Sequence, residues 1–184
     1  MKLFSQRQSV RSYQTLPIPR EAMDRCLEAA RLAPSANNGQ PWEFVVVADD
    51  TNKARLVKAA RFGILKGNPF ASQAPVIVAV IESPGHRPTR WGGYLLGQNF
   101  PLMDLGMAVE NFCLQAAAEG LGTCIIGLFV AREIRKALRL PRTHRPRLLI
   151  TIGWPTDEEV RLKKRRPIEQ MSRYIEGKGI SHAS

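Results

Sequence analysis

The chain has 184 residues, 44% hydrophobic and 23% charged, and carries 27 Lys and Arg against 16 Asp and Glu, a net charge of +11. That length fits one domain able to bury roughly 70% of its unfolded surface, so no disulfide or metal staple is needed. No stretch approaches the roughly 18 apolar residues of a membrane span.

Met1–Ser5 lacks an apolar h-region, so no secretory signal is expected. Cys26, Cys113 and Cys124 sit in apolar contexts and form no CxxC, the pattern of reduced, buried thiols in a cytoplasmic protein. His86, His144 and His182 are far apart and lack metal-ligand spacing. There is no P-loop and no G-x-S-x-G nucleophile elbow. A strongly basic balance attracts nucleic acid, anionic membrane surfaces or phosphorylated small molecules. No helix-turn-helix, zinc-finger or RNA-recognition signature accompanies it. The Arg132–Arg147 run reads as a solvated face.

In chain order, residues 1–18 are expected to be extended or partly helical. Arg20 to Ala33 reads as a helix, with Ala22, Met23, Cys26, Leu27 and Ala30 on one stripe and Pro34 ending it. Trp42 to Ala48 is a strand whose β-branched and aromatic run suggests burial on both faces. Asp49–Thr51 can cap a helix from Asn52 to Arg61. Pro75 to Ile81 is a second buried strand. Residues 82–100, broken by Pro84, Gly85, Pro88, Gly92, Gly93 and Gly97, suggest a lid or insertion in which His86, Arg87, Arg90, Trp91, Tyr94 and Phe100 are candidate acceptor-recognising residues.

Pro101 suits a helix start, and 102–119 forms the longest helix, with Leu102, Leu105, Val109, Phe112 and Ala116 inward and Gly120 at C′. Gly122 to Phe129 is a third strand, Ala131 to Leu140 a basic helix, and Leu148 to Ile152 a fourth strand; a polar, basic tail follows from Asp157. Strands separated by helices favour a sheet covered on both faces, either doubly wound or an α+β sandwich. No repeat or linker divides residues 1–184.

Three segments carry chemistry. On an extended backbone the side chains of Arg7, Ser9 and Arg11 share a face, roughly 7 Å apart. Two guanidinium forks so spaced can hold a phosphate at one point and a polarised carbonyl or ring nitrogen at another. Residues 35–40, Ser-Ala-Asn-Asn-Gly-Gln, favour turns and can present amides and carbonyls to a ligand edge. In the run Gly120–Gly127, capping explains Gly120, while Gly122 and Gly127 weaken a strand and suggest close backbone approach to a flat ligand. Cys124 has no His or Asn context that would activate it as a nucleophile.

Arg-x-Ser-x-Arg, Pro-Ser-x-x-Asn-x-Gln-Pro-Trp, Gly-Leu-Gly-Thr-Cys-x-Ile-Gly and a closing Arg-Arg-Pro-Ile-Glu, in that order over about residues 3–175, resemble the FMN-dependent nitroreductase family. The resemblance implies an α+β fold, a three-layer αβα sandwich with a central mixed sheet, and a homodimer with FMN at its interface. It implies that Arg7 binds the FMN phosphate, Ser9 the pyrimidine side, and that Arg11 sits near N1 and the C2 carbonyl, with Gln8 among the cofactor-binding residues. Ser35, Ala36 and Asn38 would reach the partner subunit's FMN. Cys124, Ile125, Ile126 and Gly127 would line the isoalloxazine, with Lys163 and Arg165 completing the phosphate cradle. Lys66 and Asn68 are candidates for a further polar pair.

The implied activity is hydride transfer from NADH or NADPH to a nitroaromatic, quinone or similar acceptor by a ping-pong mechanism. FMN carries the redox chemistry, so no side chain is named as a catalytic acid or base. Two alternatives are kept: a same-fold flavoenzyme performing reductive dehalogenation, dehydrogenation or flavin fragmentation, and a basic nucleic-acid-binding module.

Overall fold

The computed structural model describes residues 1–60, 68–84, 95, 97–157, 159–176 and 179–181. Five helices and six strands are used below: α1 (Lys2–Gln6), α2 (Arg20–Arg31), β1 (Trp42–Val47), α3 (Asp50–Ala59), β2 (Val76–Glu82), α4 (Phe100–Ala118), β3 (Gly122–Ile126), α5 (Ala131–Ala137), β4 (Arg145–Gly153), β5 (Tyr174–Glu176) and β6 (Gly179–Ser181).

Local signals set the helix ends. The Asp49 carboxylate accepts the Asn52 N–H at 2.8 Å, so α3 starts earlier than the expected Asn52. Pro101 lies in the first turn of α4, and Gly120 follows its end with φ +76°, the left-handed C′ position. Leu105, Val109, Phe112 and Ala116 are buried along α4 as expected, whereas Leu102 is exposed.

The four-stranded sheet has the order β1-β2-β4-β3 and every strand pair in it is antiparallel. The one parallel contact among the described residues is the Ser9–Thr123 bridge, which carries the amino-terminal arm along the β3 edge. All seven residues of β2 are buried between β1 and β4. The expectation that β1 is buried on both faces is corrected: β1 is an edge strand, and Glu43 and Val46 are exposed. Its hydrophobic run looks like a central strand because local sequence does not reveal how many neighbours a strand acquires.

Alternate residues of β2 enter different cores. Val76, Val78 and Val80 pack with α2 and α4, whereas Ile77, Ala79 and Ile81 pack with α3 and α5. The result is helices, sheet, helices in three layers. Phe112 stacks on Phe44 with ring centroids 5.7 Å apart, and its truncation to Ala is expected to cost roughly 3–5 kcal/mol. Arg25 of α2 clasps Glu119, just beyond α4, through two hydrogen bonds of 2.7 and 2.6 Å.

Candidate functional site

After α1, the arm lies against β3. The Val10 N–H donates to the Thr123 carbonyl at 2.8 Å. A Cβ on Gly122 would lie 2.6 Å from Val10 Cγ2, so glycine admits the arm here. That corrects the expectation of a flat ligand at Gly122: the chain's own arm makes the close approach. The Tyr13 hydroxyl donates to the Val10 carbonyl at 2.7 Å and shares a 2.7 Å hydrogen bond with Thr151. Burial raises the Tyr13 phenol well above its usual range.

This docking sets the arginines. Arg7 meets Glu110 of α4 at 3.4 Å, and Arg11 lies 5.8 Å from the centroid of the Phe70 ring. Burial raises the Cys124 thiol, while Arg11, hydrogen bonds with Ser9 and Arg11, and Arg161 pull it down. The Ser9–Thr123 bridge sets Ser9 beside Cys124, and Arg161 is held at the Ser9 carbonyl. A buried thiol with a raised pKa is a poor nucleophile. Beyond it, Ile126 is buried while Ile125, Gly127 and Leu128 are exposed.

The chain after β4 turns back along the arm in antiparallel register. The Gln14 N–H donates to the Trp154 carbonyl at 2.9 Å, Tyr13 bridges Pro155, and the Thr156 N–H donates to the Ser12 carbonyl at 3.3 Å. Gln8 Nε2 donates to the Glu159 carbonyl at 2.8 Å, and the Lys163 ammonium donates to the Ser5 carbonyl. Lys163 is thus brought to the arm. Arg165 is exposed, and its guanidinium donates to the Lys164 carbonyl at 2.9 Å.

The 35–40 turn is built from strained backbone: Asn37, Asn38 and Gln40 have φ of +51°, +52° and +41°. Asn tolerates this region, whereas Gln does so at a cost. Ser35 Oγ accepts the Gln40 N–H at 3.0 Å, and Gln40 Nε2 donates to Asn38 Oδ1 at 3.0 Å. The Ala36 N–H donates to both carboxylate oxygens of buried Asp104. Asp104 and Glu110 are separated by roughly 9 Å along α4 and about two-thirds of a turn around it. The turn and Arg7 are therefore anchored on different faces of one helix.

Asn68 precedes a short 3-10 turn at Pro69–Gln73, and Phe100 opens α4. Lys66, His86, Arg87, Arg90, Trp91 and Tyr94 lie outside the described residues. Arg161, Asp104, Glu110 and Phe70 were not singled out from sequence. An acid at a buried position of an apolar helix is a signal for Asp104; Arg161 carries none, being one of many basic tail residues. Among the described residues no His, Cys, Asp and Glu cluster could hold a metal, and no helix is long and apolar enough to cross a membrane.

Residues 4–154 match the nitroreductase family model, and the chain belongs to that family. It is 32% identical to an Archaeoglobus fulgidus protein named for NADH dehydrogenase/NAD(P)H nitroreductase activity, over 86% of this chain and 87% of that one. It is 28% identical to an FMN reductase [NAD(P)H] of Bacillus subtilis, over 94% of this chain and 72% of the relative. A solved FMN-dependent nitroreductase of Clostridium difficile R20291 superposes with a TM-score of 0.70 at 26% identity, over 88% of this chain and 90% of the other.

Proposed function

We propose that this protein oxidises NAD(P)H and reduces a nitroaromatic, quinone or similar acceptor in a ping-pong cycle, as a cytoplasmic homodimer with two cofactor sites at the subunit interface. Family membership makes the chain an NAD(P)H-dependent oxidoreductase that works with FMN. FMN supplies the redox chemistry when bound, accepting a hydride equivalent from the nicotinamide and passing it on.

One observation carries this reading: the arm is paired with β3 through the Ser9–Thr123 bridge and the Val10–Thr123 hydrogen bond, next to Cys124, where β3 runs out towards exposed Ile125 and Gly127. Arg11 has no carboxylate within ion-pair distance among the described residues. A cation so placed suits an anionic, hydrogen-bonding ligand. Ser9 and Arg11 would hold its pyrimidine edge. Arg7 and Lys163 would face its phosphate, with Arg7 sharing its long contact to Glu110; Arg165 would join if the tail moves. The residues present therefore fit FMN. Residues Cys124–Gly127 would support the ring and exclude water beneath it.

The dimer reading rests on exposed apolar surface. Leu102, Met103 and Met107 stand exposed on α4, as do Ile168, Met171, Tyr174 and Ile175 in the tail. Met103 and Met107, one turn apart on α4, present apolar surface that a partner subunit would cover. The 35–40 turn and Arg7 are anchored on different faces of α4, which suits Ser35, Ala36 and Asn38 serving a partner's cofactor.

The test is the absorbance spectrum of the purified protein, followed by anaerobic NADH or NADPH. Oxidised-flavin bands that bleach with either nicotinamide and return with an acceptor are expected. A colourless protein that ignores added FMN sinks the reading.

A further inference from the structure

Arg161 has a place that its neighbours in the basic tail lack. Gln8 Oε1 accepts both the Arg161 backbone N–H, at 3.2 Å, and its Nε–H, at 3.1 Å. Arg161 Nη2 donates to the Ser9 carbonyl. The guanidinium is thus clamped from two sides while three of its five N–H donors have no partner among the described residues. No carboxylate among those residues pairs with Arg161 or with Arg11. Arg11 carries its charge on the same arm two residues beyond Ser9, so the two guanidinium groups flank one short stretch of backbone. Positive charge gathered on one stretch of chain without a carboxylate partner suits an anionic ligand.

The clamp also has a cause in the chain's path. The segment after β4 is paired with the arm from Gln14 to Ser12, and Gln8 then catches it at Glu159 and Arg161. The tail cannot dock in this register without delivering Arg161 to Ser9. We propose that Arg161 is a further cofactor-binding residue, directed with Arg11 at the pyrimidine edge of FMN, and that Gln8 is its positioning residue. The proposal rests on the FMN reading above and adds to it a residue the sequence did not single out.

The full-length protein is titrated with FMN and with riboflavin for the wild type, Arg161→Gln, Arg161→Lys and Gln8→Ala, and the midpoint potential of the bound flavin is measured. Arg161→Gln is expected to weaken both flavins about tenfold. It should also lower the potential, by about 30 mV if the reduced flavin loses a further tenfold beyond the loss of the oxidised form. Arg161→Lys should restore most of the potential, because it returns the charge without the fork; Gln8→Ala should lie between. A purely structural latch would change affinity but leave the potential unmoved. Unchanged affinity and potential in Arg161→Gln, or a loss confined to FMN with riboflavin unaffected, overturns the proposal. Failure of the wild type to bind either flavin sinks the functional reading instead, so the two failures are distinct.

Discussion

Asp104, on α4, holds Ala36 of the 35–40 turn through both of its carboxylate oxygens, each 3.2 Å from the Ala36 amide nitrogen. A turn with three non-glycine residues at positive φ persists only where its surroundings impose it, and this carboxylate is the tertiary part of that restraint. Asp104→Ala removes the acceptor of that buried contact and should lower stability by about 1–3 kcal/mol. Asp104→Asn keeps one oxygen and should lose less. Urea unfolding gives the stability, and a flavin titration shows whether the loosened turn also weakens cofactor retention. Full stability in Asp104→Ala would mean the turn is held by its own hydrogen bonds.

The approach of Val10 to Gly122 predicts a compensating pair. Gly122→Ala puts a methyl 2.6 Å from Val10 Cγ2, and relieving the overlap should cost about 1–3 kcal/mol and push the arm off β3. Limited trypsin digestion reads this directly as faster cleavage after Arg11. Adding Val10→Gly removes every clashing side-chain atom and should slow cleavage again. Equal rates in wild type and Gly122→Ala would show that the arm yields without detaching.

Glu82 is 3% exposed at the end of β2, and Arg147 of β4 grips one of its oxygens through Nε at 2.6 Å and Nη2 at 2.5 Å. Arg147→Ala removes the guanidinium from a buried carboxylate and should destabilise by about 1–3 kcal/mol. The double variant Glu82→Leu with Arg147→Met should recover much of that loss. A thermal-melt comparison decides, and a double variant worse than the single would assign the pair a net stabilising role.

Alkaline pH should weaken the fold before it affects the chemistry. Burial pushes the Cys26 thiol up to about 12 and the Cys113 thiol up to about 11, from 9.0. Between 9 and those values the unfolded chain releases protons that the folded chain keeps, so stability falls as pH rises through this window. Each group contributes about 1.4 kcal/mol per pH unit there. Melts at pH 8 to 11 should show the decline, and Cys26→Ala should flatten it. A melting temperature indifferent to pH across that range contradicts the assignment.

Much of this architecture is legible in the residues. The stripe on α2, the start of α4 at Pro101 and its end before Gly120 follow local chemistry and appear where expected. β1 misleads because its apolar run has the composition of an interior strand while the sheet order leaves it at an edge. Gly122 misleads because the atom that excludes a side chain there belongs to Val10, more than a hundred residues earlier. Within the site, strand geometry leads one to expect Arg7, Ser9 and Arg11 on one face; Ser9 bridges Thr123, while Arg7 ends α1 against Glu110. Arg161 was not legible, because its significance comes from an antiparallel register between the two ends of the chain, and nothing local distinguishes it from Lys163, Lys164 or Arg165.

That register also orders events during synthesis. Partners across that register are made far apart in time: Val10 waits for Thr123, Gln14 for Trp154 and Gln8 for Glu159. A nascent chain can assemble β1 and β2 with the helices around them while its leading segment still has nowhere to dock. The arm and the segment after β4 can therefore complete their pairing only once Trp154 and Glu159 have been made.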